Sequence, residues 1–269
     1  MLRSLIRLSL AVVVLASLVP ASPAQESGDT FHWTGQLAAD KTLFIKNVSG
    51  SIEATGVAGS QIVVDAEKSG EDAGEVHFQV VPSDEGITIC AVFPTGRSGR
   101  QNTCEPGREW HSNTHDVHAR ADFRIRIPKN LRFTAVNING SVDAQDLGRP
   151  VDATSVNGKV DVSTASYARV ASVNGSVRAR MGSADWDDTL DIKTVNGSVD
   201  LEMPSNLAAQ VTFRSVNGGL NSDFPITTQS ISGRWGPKRI SGTIGSAANN
   251  RRLNVETVNG SVSIRKATL

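Results

Sequence analysis

The dipeptide Asn-Gly recurs six times in the second half of this chain, each time inside nearly the same phrase. The copies read VNINGSV at 136–142, VNGKV at 156–160, VNGSV at 173–177, 195–199 and 258–262, and VNGGL at 216–220. The glycines Gly140, Gly158, Gly175, Gly197 and Gly218 lie 18, 17, 22 and 21 residues apart. A degenerate copy, ISGTI at 240–244, fills most of the longer gap before Gly260, and NVSGSI at 47–52 suggests the same unit near the start. Self-similarity at a period near twenty marks a stacked repeat, whose units bury their apolar faces only against one another. It favours a surface that binds over a pocket that reacts.

The local pattern is that of strands. Alternation of apolar and polar residues runs through the chain, and apolar residues at helical spacing are nearly absent. Val117, Ala119, Ala121, Phe123, Ile125 and Ile127 should face one way along a long strand, with His118, Arg120, Asp122, Arg124 and Arg126 facing the other and Pro128 ending it. In the best repeats, Leu190 and Ile192 share one parity while Val195, Val199 and Leu201 share the other. The chain should therefore turn at Asn-Gly, where both residues tolerate positive φ.

Two geometries fit, a two-residue hairpin and the corner of a solenoid. The even repetition favours an all-β, repeat-built β-solenoid with short strands; a folded sheet of β-hairpins is the alternative. In a solenoid, Val156, Val173, Val195 and Val216 are expected to stack as an internal ladder.

Arg3 and Arg7, the apolar stretch Leu8–Val19 and the small residues Ser22 and Ala24 have the form of an export signal over residues 1–24. Its apolar part is shorter than the roughly 20 residues of a membrane span. A single domain is expected over 25–269, with regular repeats over 131–269 and an irregular insert over 66–116. Without the signal, the 27 basic residues fall to 25 against 27 acidic ones, a net charge of −2. That excludes strong whole-molecule attraction to nucleic acid or anionic membrane. In an exported chain Cys90 and Cys104 are expected to form one disulfide, and the loop-closure model assigns such a short loop about 3 kcal/mol. Their spacing lacks the Cys-x-x-Cys form of a redox pair.

These features together resemble the bacterial "putative adhesin" domain family of unknown function, the Toastrack domain. The matching parts are LFIKNVSGSIEA at 43–54, the strand ending IPKNL at 127–131 and the VNGSV series, so that the likeness covers roughly 40–269. It implies an exported, all-β, repeat-built protein with an adhesin-like label. It supplies no catalytic residues, because the matching positions are turn and core positions.

Three groups carry candidate chemistry, each with a plainer structural explanation beside it. His111, His115 and His118 lie within eight residues, beside Glu109 and Asp116, and could ligate a transition metal; equally they are a polar loop leading into a strand. Arg120, Arg124 and Arg126 could recognise anionic envelope polymers, or form a solvated strand face. Asp143, Asp161 and Asp200 each stand three residues after a repeat glycine, where stacked rungs would align them with Arg178 interposed. Clustered carboxylates serve polysaccharide-active β-helix proteins, but the interposed arginine favours a ladder of alternating charge. Asp185, Asp187 and Asp188 read as an acidic loop. No nucleophile elbow, zinc-protease or phosphate-cradling motif is present, and no cofactor is implied. The chain is therefore expected to be non-catalytic: an adhesin-like binding or structural module of the cell envelope, in the periplasm or secreted, with a polysaccharide or protein partner.

Overall fold

The computed structural model describes residues 24–96, 100–108, 110–232, 238–246 and 250–267; the expected signal, apart from Ala24, lies outside the described residues. Among the described residues, two eleven-stranded sheets face each other across a thin apolar core. In each regular coil the chain climbs a strand of one sheet, here the approach sheet, and turns a corner at the repeat glycine. It then descends a strand of the other, the return sheet. Arg132–Asn139 is followed in this way by Val142–Leu147, Val151–Asn157 by Val160–Thr164, and Ala168–Asn174 by Val177–Met181. Strands on either side of an Asn-Gly belong to different sheets, so the molecule is a β-solenoid and the hairpin arrangement is not formed. Successive coils pair in parallel with like on like, as in Val142↔Val160↔Val177↔Val199.

Stacking order departs from chain order at both ends. The last coil, Arg252–Asn259 and Val262–Lys266, is inserted between the coil containing Thr189–Lys193 and the coil containing Ala209–Asn217. The early coil Thr42–Ser49 and Ile52–Val57 likewise sits between Gly86–Val92 with Ala119–Pro128 and the coil that begins at Arg132. The copy expected at 240–244 is not a coil. It lies in Lys238–Ile244, which pairs antiparallel with Ala209–Asn217 and with Ile226–Ser232. At the opposite end Ile62–Gly70 and Thr30–Gly35 close the return sheet and His77–Ser83 closes the approach sheet, all antiparallel. At the C-terminal end only the approach sheet is flanked in this way, and Leu220–Ser222 forms the edge of the return sheet.

The repeated phrase is explained by the corner. The residue three before the glycine points inward and donates to the glycine carbonyl of the neighbouring coil. Ser155 Oγ reaches Gly140 O at 2.9 Å, Ser172 reaches Gly158 O at 2.9 Å, Thr194 reaches Gly175 O at 2.8 Å and Thr257 reaches Gly197 O at 2.9 Å. In the first coils asparagine takes this place, with Asn137 Nδ2 donating to Gly50 O at 2.7 Å. The asparagine before the glycine points outward and forms a second ladder. Asn157, Asn174 and Asn196 each donate to the preceding Asn Oδ1 at 2.8 Å, and the column continues through Asn259 and Asn217 at 2.7 Å.

Glycine is required for a reason other than the expected one. Of the six repeat glycines only Gly140, at φ 146°, has positive φ. A Cβ on Gly158, Gly175, Gly197 or Gly260 would instead overlap the carbonyl oxygen of the adjacent coil's glycine. Close backbone approach excludes a side chain there.

The expected internal valine ladder is also corrected. Val156, Val173, Val195 and Val216 are 37–41% exposed and line the outside of the corner. Because Thr194 turns inward to cap a carbonyl, alternation sends Val195 outward, and the parity shift falls after it. The inner columns include Val170, Ile192 and Val255 in the approach sheet and Val142, Val160, Val177, Val199 and Val262 in the return sheet, all essentially buried. Each such side chain contributes about 1.5–3 kcal/mol by leaving water.

The departure from the repeat over 66–116 is narrower than its sequence suggests, because Ile62–Gly70, His77–Ser83 and Gly86–Val92 are regular strands. Irregular backbone begins after Val92 and lies against the outer face of the approach sheet. The Cys90–Cys104 disulfide pins it there, with Cα atoms 5.7 Å apart. Lys46 Nζ donates to Glu105 O at 2.6 Å, and Gly107 N donates to Thr88 Oγ1 at 3.1 Å. Asn102 ties the loop together, donating to Phe93 O and accepting from Asn113 N at 2.6 Å. Lys46 and Thr88, outward residues that would otherwise meet water, are buried beneath this cover.

Candidate functional site

Parallel, in-register strands align the acidic positions of the return sheet into one row, Asp143↔Asp161↔Arg178↔Asp200↔Ser263. The row is closed by its own neighbours. Asp161, whose side chain is only 7% exposed, meets Lys159 at 2.7 Å, Arg180 at 3.6 Å and Arg178 at 3.8 Å. Burial pushes its carboxyl up, but Lys159, Gln145 and Arg180 together outweigh burial and hold it below the ordinary range. Asp200 is shared by Arg178 at 3.7 Å and Arg265 at 3.4 Å, and Asp143 accepts from Gln145 Nε2 at 2.8 Å. A carboxylate so held is a poor proton donor and serves the stack as a charge ladder.

Arg120, Arg124 and Arg126 all project from the outer face of Ala119–Pro128, as alternation requires. Their surroundings differ. Arg120 pairs with Asp122 at 3.2 Å. Burial raises the Asp122 carboxyl, yet Ser51 N–H and Oγ, at 2.6 and 2.8 Å, and Arg120 bring it below its ordinary value. Arg124 stands between Asp65 and Glu53 on the neighbouring strands, and Arg126 between Val63 and Thr55. Neither Arg124 nor Arg126 forms an ion pair among the described residues.

The three histidines of the candidate metal group are exposed. His115 lies 3.4 Å from Asp116 and His118 3.8 Å from Asp72. Among the described residues, no three His, Cys, Asp or Glu side chains are grouped as a metal ion would need; Glu109 lies outside the described residues.

A cleft of about 450 Å³ opens on the outer face of the approach sheet, where the pinned loop meets the strands. Residues distant in the chain converge on it: Asp40 and Lys41, Asp84 and Glu85 from the turn between two strands, Arg108 from the loop, Arg132, Asp152, Tyr167 and Arg169. Asp152 is its most buried charge, with a side chain 15% exposed, 2.6 Å from Arg108 and 3.7 Å from Arg169. Burial pushes this carboxyl up, and the two arginines only partly offset it. Arg169 Nη2 also donates to Thr189 O at 3.3 Å, and Lys41 Nζ donates to Asp84 O at 2.6 Å.

The sequence profile of Toastrack DUF4097 matches residues 24–265. The chain belongs to the Toastrack family. No curated protein sequence matches it. Among solved structures, a "putative cell adhesion protein" from Clostridium sporogenes is 13% identical, with 88% of this chain and 99% of that one covered and a TM-score of 0.44. A "putative adhesin" from Bacteroides fragilis is also 13% identical, over 90% and 98%, with a TM-score of 0.37.

In this Toastrack chain the arginine strand and the aspartate row were legible as alternation and as spacing from a glycine. The cleft was not, because its residues come from separate coils and from the loop. One signal was available: Thr134, Asp152 and Arg169 occupy the same outward place in three consecutive coils. Aligning the repeats by their outward residues would have set Asp152 beside Arg169. Nothing in the repeat could have brought Arg108 to them.

Proposed function

We propose that this Toastrack protein is an exported, non-catalytic module of the bacterial cell envelope that binds through its rigid sheet faces. The supporting observation is the contrast on the return sheet. The carboxylates that an enzyme would use are tied to neighbours, whereas Arg124 and Arg126 stand outward without ion-pair partners among the described residues. A strand in a stacked sheet holds such groups at fixed spacing, so little ordering cost is incurred when an extended partner is engaged. Guanidinium forks suit the carboxylates or phosphates of an anionic envelope polysaccharide or of an envelope protein. The disulfide fits an oxidising compartment, the periplasm or beyond. Among the described residues no helix is long and apolar enough to cross a membrane.

The test is retention of the mature protein on immobilised polygalacturonate and on peptidoglycan sacculi, with Arg124→Glu/Arg126→Glu as the control. Binding that the double variant abolishes is the expected result. Equal retention of both proteins removes the arginine strand. Substrate turnover lost on Asp161→Asn or Asp200→Asn would replace the proposal with a polysaccharide-active enzyme using Asp143, Asp161 and Asp200.

A further inference from the structure

The geometry points to a second binding site, in the cleft beneath the disulfide-pinned loop, that takes a short uncharged oligosaccharide. This site is on the opposite sheet from the arginine strand and does not depend on it.

The ligand class follows from the lining. Its acids, Asp40, Asp84, Glu85 and Asp152, are matched in number by Lys41, Arg108, Arg132 and Arg169, so the cleft selects neither sign of charge. An anion entering beside Arg132 would meet Asp152 and Glu85, and a cation would meet Arg108 and Arg169. Apolar surface is limited to parts of Tyr167, Pro150, Val151 and the aromatic residues of the floor, too little for a hydrophobic ligand. Carboxylate acceptors and guanidinium donors are presented side by side, with Asp152 lying between Arg108 and Arg169. A sugar's neighbouring hydroxyls each donate and accept, so they match such a surface without adding charge. Tyr167 supplies a ring for the C–H face of a sugar.

The cleft is also furnished at a cost. Asp152 is held largely out of water against two arginines, and the loop that brings Arg108 is fixed by a covalent bond. Arg132, Asp84 and Glu85 have no ion pair among the described residues and remain able to bond a ligand. A volume of about 450 Å³ lies within the range of ligand clefts, roughly 300–1,000 Å³.

The experiment is a glycan array carrying neutral and uronic-acid oligosaccharides, probed with the mature protein, followed by calorimetry with the strongest neutral hit. We expect neutral glycans to be retained. Their affinity should fall about tenfold or more in Asp152→Asn and Tyr167→Ala, as for loss of a charge-assisted hydrogen bond or a stacking ring. Arg132→Ala alters an exposed side chain and keeps the cleft testable if Asp152→Asn fails to fold. Cys90→Ser/Cys104→Ser should weaken binding by freeing Arg108, and Arg124→Glu/Arg126→Glu should leave it unchanged. Absence of any neutral hit overturns the inference. So do neutral hits that survive the cleft substitutions. Retention of uronic glycans alone, lost with Arg124→Glu/Arg126→Glu, would support the arginine strand and overturn the cleft.

Discussion

The middle coils and the N-terminal end of this solenoid are built from the same strands but stabilised differently. Between residues 151 and 203 each coil repeats three columns, namely buried aliphatic side chains, hydroxyls on glycine carbonyls, and outward asparagines. Nearly every group there is answered by its counterpart one coil away. At the N-terminal end the repetition stops. An aromatic cluster fills the core, with Phe31 and Phe78 rings 4.7 Å apart and Phe123 edge-on to Phe78 at 5.6 Å. A disulfide, the Asn102 hydrogen bonds and contacts from Lys46 and Thr88 hold a loop that lies outside the stack of coils. Self-completing coils make a stiff scaffold with few unanswered groups, and groups available to a ligand gather where the repeat is interrupted.

Substitution should separate the two regions. The largest effect is expected from Gly197→Ala, because the new Cβ meets Gly175 O and the backbone cannot give way without shifting both coils. Failure to fold, or a loss of several kcal/mol in denaturant unfolding, is the expected outcome, of the order seen for strained backbone substitutions. A fall below about 1 kcal/mol would show that the corner is looser than described. Removing the disulfide with Cys90→Ala/Cys104→Ala should cost about 3 kcal/mol. Limited proteolysis should then cut between Val92 and Ala119 while the coils stay intact, and cleavage spread evenly along the chain would contradict the division into two regions.

Thr194→Val keeps the shape of the side chain but strips Gly175 O of its buried donor. It should cost about 1–3 kcal/mol with no change of fold by circular dichroism. A smaller, pH-dependent effect belongs to Asp161. Its folded carboxyl is held below the unfolded value near 3.8, so its contribution is complete above that pH and is lost as pH falls through the folded value. Asp161→Asn should flatten the acid limb of stability below about pH 4 relative to the parent protein, and an unchanged limb would remove the charge ladder from the account of the middle coils. The smallest effect is expected from Val195→Asp. Its outward position should keep the change in melting free energy within about 0.5 kcal/mol, and a large loss would restore the valines to the interior.

The two valine columns show where sequence periodicity succeeds and where it misleads. Val199 and Val195 share a parity, yet one is buried and the other lines the corner, because the chain changes sheets between them. Parity is informative only within a strand. The glycines were read as residues that tolerate the positive φ of a turn, but their close approach to a neighbouring carbonyl is a contact between coils that no single repeat contains. The alignment of Asp143, Asp161, Arg178 and Asp200 was legible because parallel stacking brings equal positions together. The place of ISGTI at 240–244 was not, since a resemblance to the repeat cannot state whether a strand will run parallel or antiparallel to its neighbour.

What the amino-acid order determined by itself was the unit: a strand, a corner at Asn-Gly, a strand, with an inward hydroxyl and an outward asparagine that are satisfied only by a copy of themselves. Like-on-like satisfaction compels parallel, in-register stacking, and therefore a solenoid. Tertiary structure alone decided the order of the stack, with both terminal coils inserted one place from the ends. It also decided where the disulfide loop would lie. The physical reason is range. Alternation and corner geometry act within a few residues, whereas closing the sheet edges and burying Lys46 and Asp152 beneath a loop are settled by surfaces that meet only after the coils have stacked.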